Sequence, residues 1–268
     1  MSTNNTELIN ETNLSHAWGR AFLSAMAKPG SNPSPILLSL TGFVDSVPPE
    51  NPQIRQAVDV LLEANDLSTC EIGAMLIFPL KAWDRHGRPG CEDFSRWYLA
   101  KMLPRLRARS TANRNGVYFE RMIDYHGERD GQPFVINQLS EISRIWRRDQ
   151  ANGRRPRQSA LVVSCLDPGK DLRGQPQRGF PCLQQVSFNY DDAGGLAISA
   201  YYPTQHVFDR GYGNYLGLCR LGLFMAHELG LELVRFNCFV GRAELGYALN
   251  KQDLRGIEQL VRAALPQQ

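Results

Sequence analysis

Paired cysteines are missing from this sequence. Its six cysteines, spread over 268 residues, include no CxxC pair and no histidine at metal-ligand spacing. In a chain of this length, that spacing argues against both disulfides and a structural zinc site. Free thiols are typical of a reducing compartment, so the sequence predicts a cytoplasmic protein.

Long hydrophobic runs are also absent, and none approaches the roughly 18 apolar residues that a membrane span needs. Residues 1–12 are polar and acidic, whereas a signal peptide begins with basic residues and continues with an apolar stretch. We therefore expect a frayed N-terminal lead-in and no membrane association.

Lysine is scarce, because only five of the 30 basic residues are lysines and the rest are arginines. Arginine suits bidentate binding of phosphate or carboxylate. Six arginines are clustered in one part of the chain. Such a cluster could bind a phosphorylated small molecule or nucleic acid, or it could be a solvated helix end and loop. The net charge of +3 is small for a nucleic-acid-binding protein, so that class is disfavoured. The cluster consists of Arg144, Arg147, Arg148, Arg154, Arg155 and Arg157.

With 43% hydrophobic and 21% charged residues, the composition is that of a globular protein. No internal repeat or long linker divides residues 1–268, and the sequence predicts a single α+β domain with a large mixed sheet wrapped by helices. Apolar spacing predicts helices at 13–28, 54–64, 93–109, 135–148, 215–229 and 251–265, and strands at 35–43, 71–78, 160–164, 183–190, 196–202 and 231–240.

The helix predicted at 215–229 is apolar nearly all the way round, which places it in the centre of the fold. Asn214 is the residue type that caps a helix at its start, and Gly230 one that ends it. The segment 71–78 is apolar and short, which favours a buried strand over a short helix.

Gly179-Phe180-Pro181-Cys182 is the sharpest local motif in the chain. Proline fixes the backbone immediately before the thiol, and a β run follows it. A nucleophilic cysteine needs nearby cations to stabilise its thiolate, and Arg173 and Arg178 lie just upstream. The alternative is an unreactive thiol packed as a small apolar side chain.

The order of motifs around Cys182 resembles that of the thymidylate synthase family. A strand leads through a loop to Pro181-Cys182, a hairpin follows, and Val207-Phe208 precedes Asn214 by the family's spacing. Gly116-Val117-Tyr118 is similar to the family's Val-Tyr-Gly region. The similarity covers roughly residues 115–250.

This resemblance implies a mechanism and a set of site residues. Cys182 would add to C6 of a pyrimidine, so that C5 can accept a one-carbon unit from 5,10-methylenetetrahydrofolate. Asn214 would bind the edge of the base, and Tyr118 would help to remove the C5 proton through water. His206 lies where the family has substrate contacts, which suggests either an acid–base role or a structural one.

The phosphate site differs from the family pattern. Ser159 and Ala160 stand where the family has the two arginines that bind phosphate across a dimer, and Arg155 and Arg157 are the nearest substitutes. Tyr202-Pro203-Thr204 replaces the family's Gln-Arg-Ser. Proline cannot supply even a backbone donor, so the sequence slightly favours an acceptor that is uncharged or differently charged.

Two hypotheses from different classes remain open. The first is a divergent enzyme that alkylates or hydroxymethylates C5 of a pyrimidine nucleotide, nucleoside or related heterocycle. The second is a non-catalytic nucleotide- or folate-binding protein of the same fold. The family associates through the outer face of its sheet, and the strands here are apolar on both sides, which predicts a homodimer.

Overall fold

The computed structural model describes residues 6–27, 35–111, 113, 116–172 and 181–266, apart from the side chain of Arg129. The first part of the chain contributes two strands and mostly helices. These are β1 (Glu7–Glu11), α1 (Leu14–Ala27), β2 (Ile36–Leu40), α2 (Pro52–Glu63), α3 (Cys70–Ile77), α4 (Leu80–Arg85), α5 (Cys91–Trp97), a π-helical segment (Tyr98–Met102) and α6 (Leu103–Arg109).

The second part carries most of the sheet. Its elements are α7 (Tyr118–Ile123), β3 (Tyr125–Arg129), β4 (Gln132–Ile136), α8 (Gln138–Ala151), a 3₁₀ turn (Gln158–Ala160), β5 (Val162–Ser164), α9 (Pro168–Asp171), β6 (Gln185–Tyr190), β7 (Gly195–His206), a second π-helical segment (Val207–Gly211), α10 (Tyr212–Leu229), β8 (Glu232–Glu244) and α11 (Arg255–Ala264).

Six of these strands form one mixed sheet in the order β1-β2-β8-β7-β6-β5. The pairs β1–β2 and β7–β8 are parallel, and the other three pairs are antiparallel. The remaining strands, β3 and β4, form a separate hairpin. The predicted α+β class with a large mixed sheet is therefore confirmed.

Helix α10 is buried along almost its whole length, as its apolar sequence predicts. It packs against the sheet on one side and against α3 on the other. Gly213 and Gly217 make the second contact possible, because a Cβ at either position would lie within 3 Å of the α3 backbone. Gly230 ends the helix in the left-handed conformation, with φ of 67°.

The prediction of a strand at 71–78 is wrong, because this segment is helix α3. Thr69 caps it by accepting a hydrogen bond from the Ile72 backbone N–H at 3.3 Å. Its buried residues Cys70, Ala74 and Ile77 follow a helical spacing. Eight residues are too few for that period to be separated from a buried strand in the sequence.

Several other boundaries also differ from the prediction; strands β7 and β8, for example, end four residues later than predicted, at His206 and Glu244. The N-terminal lead-in contains strand β1, which pairs with β2 and buries Ile9. The helix expected from Val135 begins at Gln138 after the cap Asn137, because Val135 pairs within the β3–β4 hairpin. Asn214 does not cap α10, since the chain enters that helix directly from the π-helical segment at Val207–Gly211.

Candidate active site

Cys182 lies at the end of the sheet where β6 begins and β7 finishes. The chain joins the sheet just after it, since the Gln184 N–H donates to the Tyr201 carbonyl at 3.0 Å. On the other side, the Cys165 N–H donates to the Gln184 carbonyl at 2.8 Å. Both neighbouring strands therefore fix the backbone beside the cysteine. Cys182 is exposed, whereas the other five cysteines are buried.

Tyr118 is brought to this cysteine by helix α7, of which it is the first residue. The Leu183 N–H points at its hydroxyl at 3.4 Å, so the phenol lies beside the Cys182–Leu183 peptide. Gln138 holds α7 in place. Its side-chain amide donates to the carbonyls of Arg121 and Ser164, at 3.0 and 2.9 Å, and accepts from the Ser164 N–H at 2.9 Å.

Two influences on the pKa of the Cys182 thiol oppose each other. Partial burial raises the pKa of its thiol, and the Arg210 guanidinium acts in the opposite direction. The pKa of Tyr118 is also raised, first by burial and then by the nearby Cys182. Arg210 is exposed and, within the described part of the chain, has neither an ion pair nor a hydrogen-bond partner. A cation in this state is available to a thiolate or to a bound anion.

Arg210 belongs to the π-helical segment that joins β7 to α10. Its neighbour Asp209 is buried and accepts a hydrogen bond from the Tyr247 N–H at 3.0 Å through Oδ2. Oδ1 of Asp209 has no partner among the described residues. Short π-helical segments within helices are frequent at functional sites, and a buried acceptor without a partner is uncommon.

Two other predicted residues flank this segment. His206, the last residue of β7, places Nε2 3.5 Å from Oε2 of Glu244, and its ring lies edge-on to Tyr247 at 4.4 Å. Asn214 follows Arg210 by four residues along the helix and is 7% exposed. The structure thus gathers Cys182, Tyr118 and Arg210 at one end of the sheet, with His206 and Asn214 on the elements that adjoin them.

The remaining predicted residues present no exposed group at this end of the sheet. Tyr202 is fully buried, and its hydroxyl has no partner in the described part of the chain. Arg155 donates to Asp192 at 2.8 Å and lies over the Tyr190 ring, at the opposite end of β6 from Cys182. Six residues of strand span about 20 Å, so Arg155 cannot reach the cysteine of its own chain. Arg157 and Ser159 are exposed at that same far end. Arg173, Arg178, Gly179 and Phe180 lie outside the described residues.

Sequence reasoning missed two residues that matter here. Gln138 was visible only as part of a helix, and nothing in its spacing shows that its side chain bridges α7 and β5. Arg210 is one of 25 arginines. Its position four residues after the end of β7 and four before Asn214 is the only signal that could have singled it out.

Comparison with protein families and with curated proteins gave no match. No protein-family model matches the chain, and none of the curated proteins matches it either. The resemblance to thymidylate synthases therefore stays a prediction.

Two features are absent from the described part of the chain. Among the described residues, no three histidine, cysteine, aspartate or glutamate side chains are grouped as metal ligands. None of the helices in that part of the chain has the length and apolar character of a membrane span. An exposed cysteine beside a tyrosine hydroxyl and an unpaired arginine is suited to nucleophilic addition with proton transfer.

Proposed function

We propose that this protein is a thymidylate synthase-like one-carbon transferase that acts at C5 of a pyrimidine nucleotide through a cysteine adduct. One observation carries the proposal: the single exposed cysteine among the described residues lies beside the Tyr118 hydroxyl and within electrostatic range of the Arg210 guanidinium. A nucleophilic thiol needs solvent access and a nearby cation, and Cys182 has both.

In the proposed reaction, the Cys182 thiolate adds to C6 of the ring. The electron pair of the C5=C6 bond moves toward O4, and C5 becomes nucleophilic. After C5 has accepted an electrophile, its original proton leaves through water held by Tyr118. Expulsion of the thiolate then restores the double bond and the free enzyme. Asn214 is the proposed partner of the base edge, since an amide both donates and accepts.

Because of Arg210, we propose an anionic acceptor, whereas the sequence alone slightly favours one that is uncharged or differently charged. Pro203 removes the family's phosphate arginine, and Arg155 and Arg157 are far from the cysteine of the same chain. Arg210 comes from the segment directly after β7, and no carboxylate among the described residues neutralises it. A guanidinium in this state binds a phosphate or carboxylate with two parallel hydrogen bonds.

The proposed donor is 5,10-methylenetetrahydrofolate. Such a donor would supply a one-carbon unit, and its nitrogen would leave that carbon when a hydride from the same donor (methyl product) or the oxygen of a water molecule (hydroxymethyl product) takes its place.

The experiment that tests the proposal needs no donor. Addition of Cys182 to C6 loosens the C5 proton, so the protein should exchange H5 of deoxyuridine monophosphate for deuterium in heavy water. Proton NMR follows the loss of the H5 signal. The Cys182→Ser variant should show no exchange, while Cys219→Ser, a change at a buried thiol, should keep it if it folds. Equal exchange in wild type and Cys182→Ser would exclude the adduct.

The competing hypothesis is a non-catalytic nucleotide- or folate-binding protein. It predicts binding of deoxyuridine monophosphate without H5 exchange. Calorimetry on the same samples separates the two, because tight binding with no exchange in wild type would favour the binder.

We also propose a homodimer that forms through the outer face of the sheet. Four large apolar side chains on this face, Leu8, Leu37, Tyr201 and Phe239, are between 36% and 67% exposed. Tyr201 and Phe239 stack on each other with ring centroids 5.5 Å apart. Light scattering should give the mass of a dimer at micromolar concentration, and Phe239→Glu should shift it to a monomer. A monomeric wild type would contradict this proposal.

A further inference from the structure

A second site is present at the far end of α10 from Cys182. A cavity of about 540 Å³ opens between the start of α5, one face of α8 and the C-terminal turn of α10. Fourteen residues of helix separate Asn214 from Glu228, which is roughly 20 Å. The cavity is therefore distinct from the candidate active site, and its volume lies in the range of small-molecule pockets.

The walls of this cavity carry opposite charges. Arg144, Arg147 and Arg148 line it from α8, where their spacing places them on one face. Glu92 and Asp93 line it from α5, and Glu228 from α10. Three cations therefore face three carboxylates. A ligand with one sign of charge would be attracted by one wall and repelled by the other.

Glu228 is the unusual member of the group. Its side chain is only 3% exposed, and Arg147 reaches its Oε2 at 3.2 Å. The other oxygen, Oε1, has no partner among the described residues and lies 3.8 Å from the place where a Cβ on Gly90 would be. A carboxylate oxygen that lines a cavity and has no protein donor can accept a hydrogen bond from a ligand N–H at this position.

The arginines are held in place from outside the cavity. Arg144 donates to Glu141, and Arg148 donates to Asp149 at 2.8 Å. Each guanidinium has five N–H donors, so both retain donors for a ligand. Three arginines of the cluster seen in the sequence therefore line this cavity. A fourth, Arg155, lies elsewhere and is paired with Asp192.

We propose that this cavity binds a small zwitterion of the amino-acid type. Its ammonium group would donate to Oε1 of Glu228, and its carboxylate would bind the guanidiniums of Arg144 and Arg148. The remaining volume beside Gly90 would take the side chain. This site does not depend on the proposed activity at Cys182.

The test is calorimetry with the standard L-amino acids, followed by two analogues of the best ligand, one without its amino group and one without its carboxylate. At least one amino acid should bind, and each analogue should bind about tenfold more weakly or worse, because each loses a charge-assisted contact. Glu228→Gln should weaken binding by a similar factor.

Gly90→Leu should abolish binding by filling the cavity, and its backbone is suited to any residue because φ is −59°. Gly90→Ala is the matched control, since its Cβ would meet Glu228 only at ordinary contact distance. Arg262→Ala, at an exposed arginine of α11, should also leave binding unchanged. Thermal melts followed by circular dichroism establish that each variant is folded.

Three outcomes would overturn the proposal. The first is that no standard amino acid binds the wild type. The second is that the analogue without an amino group binds as tightly as its parent, which would indicate a site for anions alone. The third is that the folded Gly90→Leu variant binds as well as the wild type.

Discussion

Two regions of this molecule contain the same kinds of side chain, but these side chains are paired with one another in only one of the regions. The seam between α2, α3 and α10 and the Cys182 end of the sheet each combine a cysteine, arginine, tyrosine and carboxylate. In the seam, these groups bind one another. At the Cys182 end, several of them have no partner among the described residues.

The seam is built from complete pairs. Arg220 binds both oxygens of Glu71, at 3.0 and 2.7 Å. The Tyr212 hydroxyl donates to Glu50 at 2.7 Å and lies at the same distance from the hydroxyl of Ser15. Each donor meets an acceptor inside the protein, which is the usual condition of buried polar groups.

Cys70 shows what this arrangement does to a thiol. It lies near Arg55, yet its pKa is raised well above the ordinary range, first by burial and then by Asp59. Asp59 already binds the Arg55 guanidinium at 2.9 Å. An arginine near a cysteine therefore favours the thiolate only where the thiol is accessible and the arginine is not neutralised. Arg210 and Cys182 meet both conditions, although partial burial still outweighs Arg210 and raises the pKa of this thiol.

The largest effect that tests this comparison is in alkylation by iodoacetamide. Cys182 should react at least about 100-fold faster than Cys70, because only the exposed thiol can form and present a thiolate. Burial raises the pKa of Cys91 to about 11 and that of Cys165 to about 12, so these thiols should also be slow. Mass spectrometry of tryptic peptides measures each rate.

The rate at Cys182 should rise with pH, since its own pKa is raised and the thiolate fraction grows toward that pKa. Native protein is needed, because unfolding exposes all the thiols. Labelling of Cys70 as fast as that of Cys182 in the folded protein would show that the two regions do not differ as described.

A smaller effect, on stability, is expected when one ion pair of the seam is removed. Arg220→Met should lower the free energy of unfolding by about 1–2 kcal/mol, because Glu71 loses a bidentate partner but keeps a third of its side chain in solvent. Denaturant unfolding measures the loss. Arg262→Met, which breaks an exposed pair with Glu258, should change stability by less than about 0.5 kcal/mol.

The stability that the Arg220–Glu71 pair contributes should depend on pH. Burial is the largest single influence and opposes ionisation of Glu71, but the Arg220 guanidinium and the Lys81 ammonium together outweigh it and lower the pKa of the carboxyl. The pair therefore stabilises the fold above the pKa that the carboxyl has in the unfolded chain. This contribution is lost as the pH falls through the folded-state pKa. The difference between wild type and Arg220→Met should shrink over that range, and a constant difference would contradict the assignment.

The same contrast explains what could be predicted from the sequence. Long periodic segments such as α10 were identified because their burial pattern is local. Cys182 was identified because Pro181 beside it is a local signal. The helix at Cys70–Ile77, the strand at Glu7–Glu11 and the role of Gln138 depend on partners distant in the chain. Whether an arginine is paired is likewise a property of the fold, and for this reason Arg210 was missed.

The smallest effect expected here concerns Arg210 itself. If this arginine binds the anionic group of the substrate, Arg210→Ala should weaken binding of deoxyuridine monophosphate about fivefold to tenfold, because one exposed charge-assisted contact is lost. Deoxyuridine, which differs from this ligand only by the missing phosphate, should bind equally to both proteins. Stability should change little, since Arg210 has no partner among the described residues to lose. Arg105→Ala, at an exposed arginine of α6, is the control for net charge.

The salt dependence separates direct contact from a general effect of charge. Raising the ionic strength should reduce the affinity of wild type for the monophosphate and leave that of Arg210→Ala nearly constant, because the screened contact is already absent. Calorimetry at two salt concentrations gives both values. If Arg105→Ala weakens binding as much as Arg210→Ala, the unpaired arginine acts only through the overall charge. If deoxyuridine binds as tightly as its monophosphate, the acceptor is uncharged and the contrast between the two regions does not extend to the substrate.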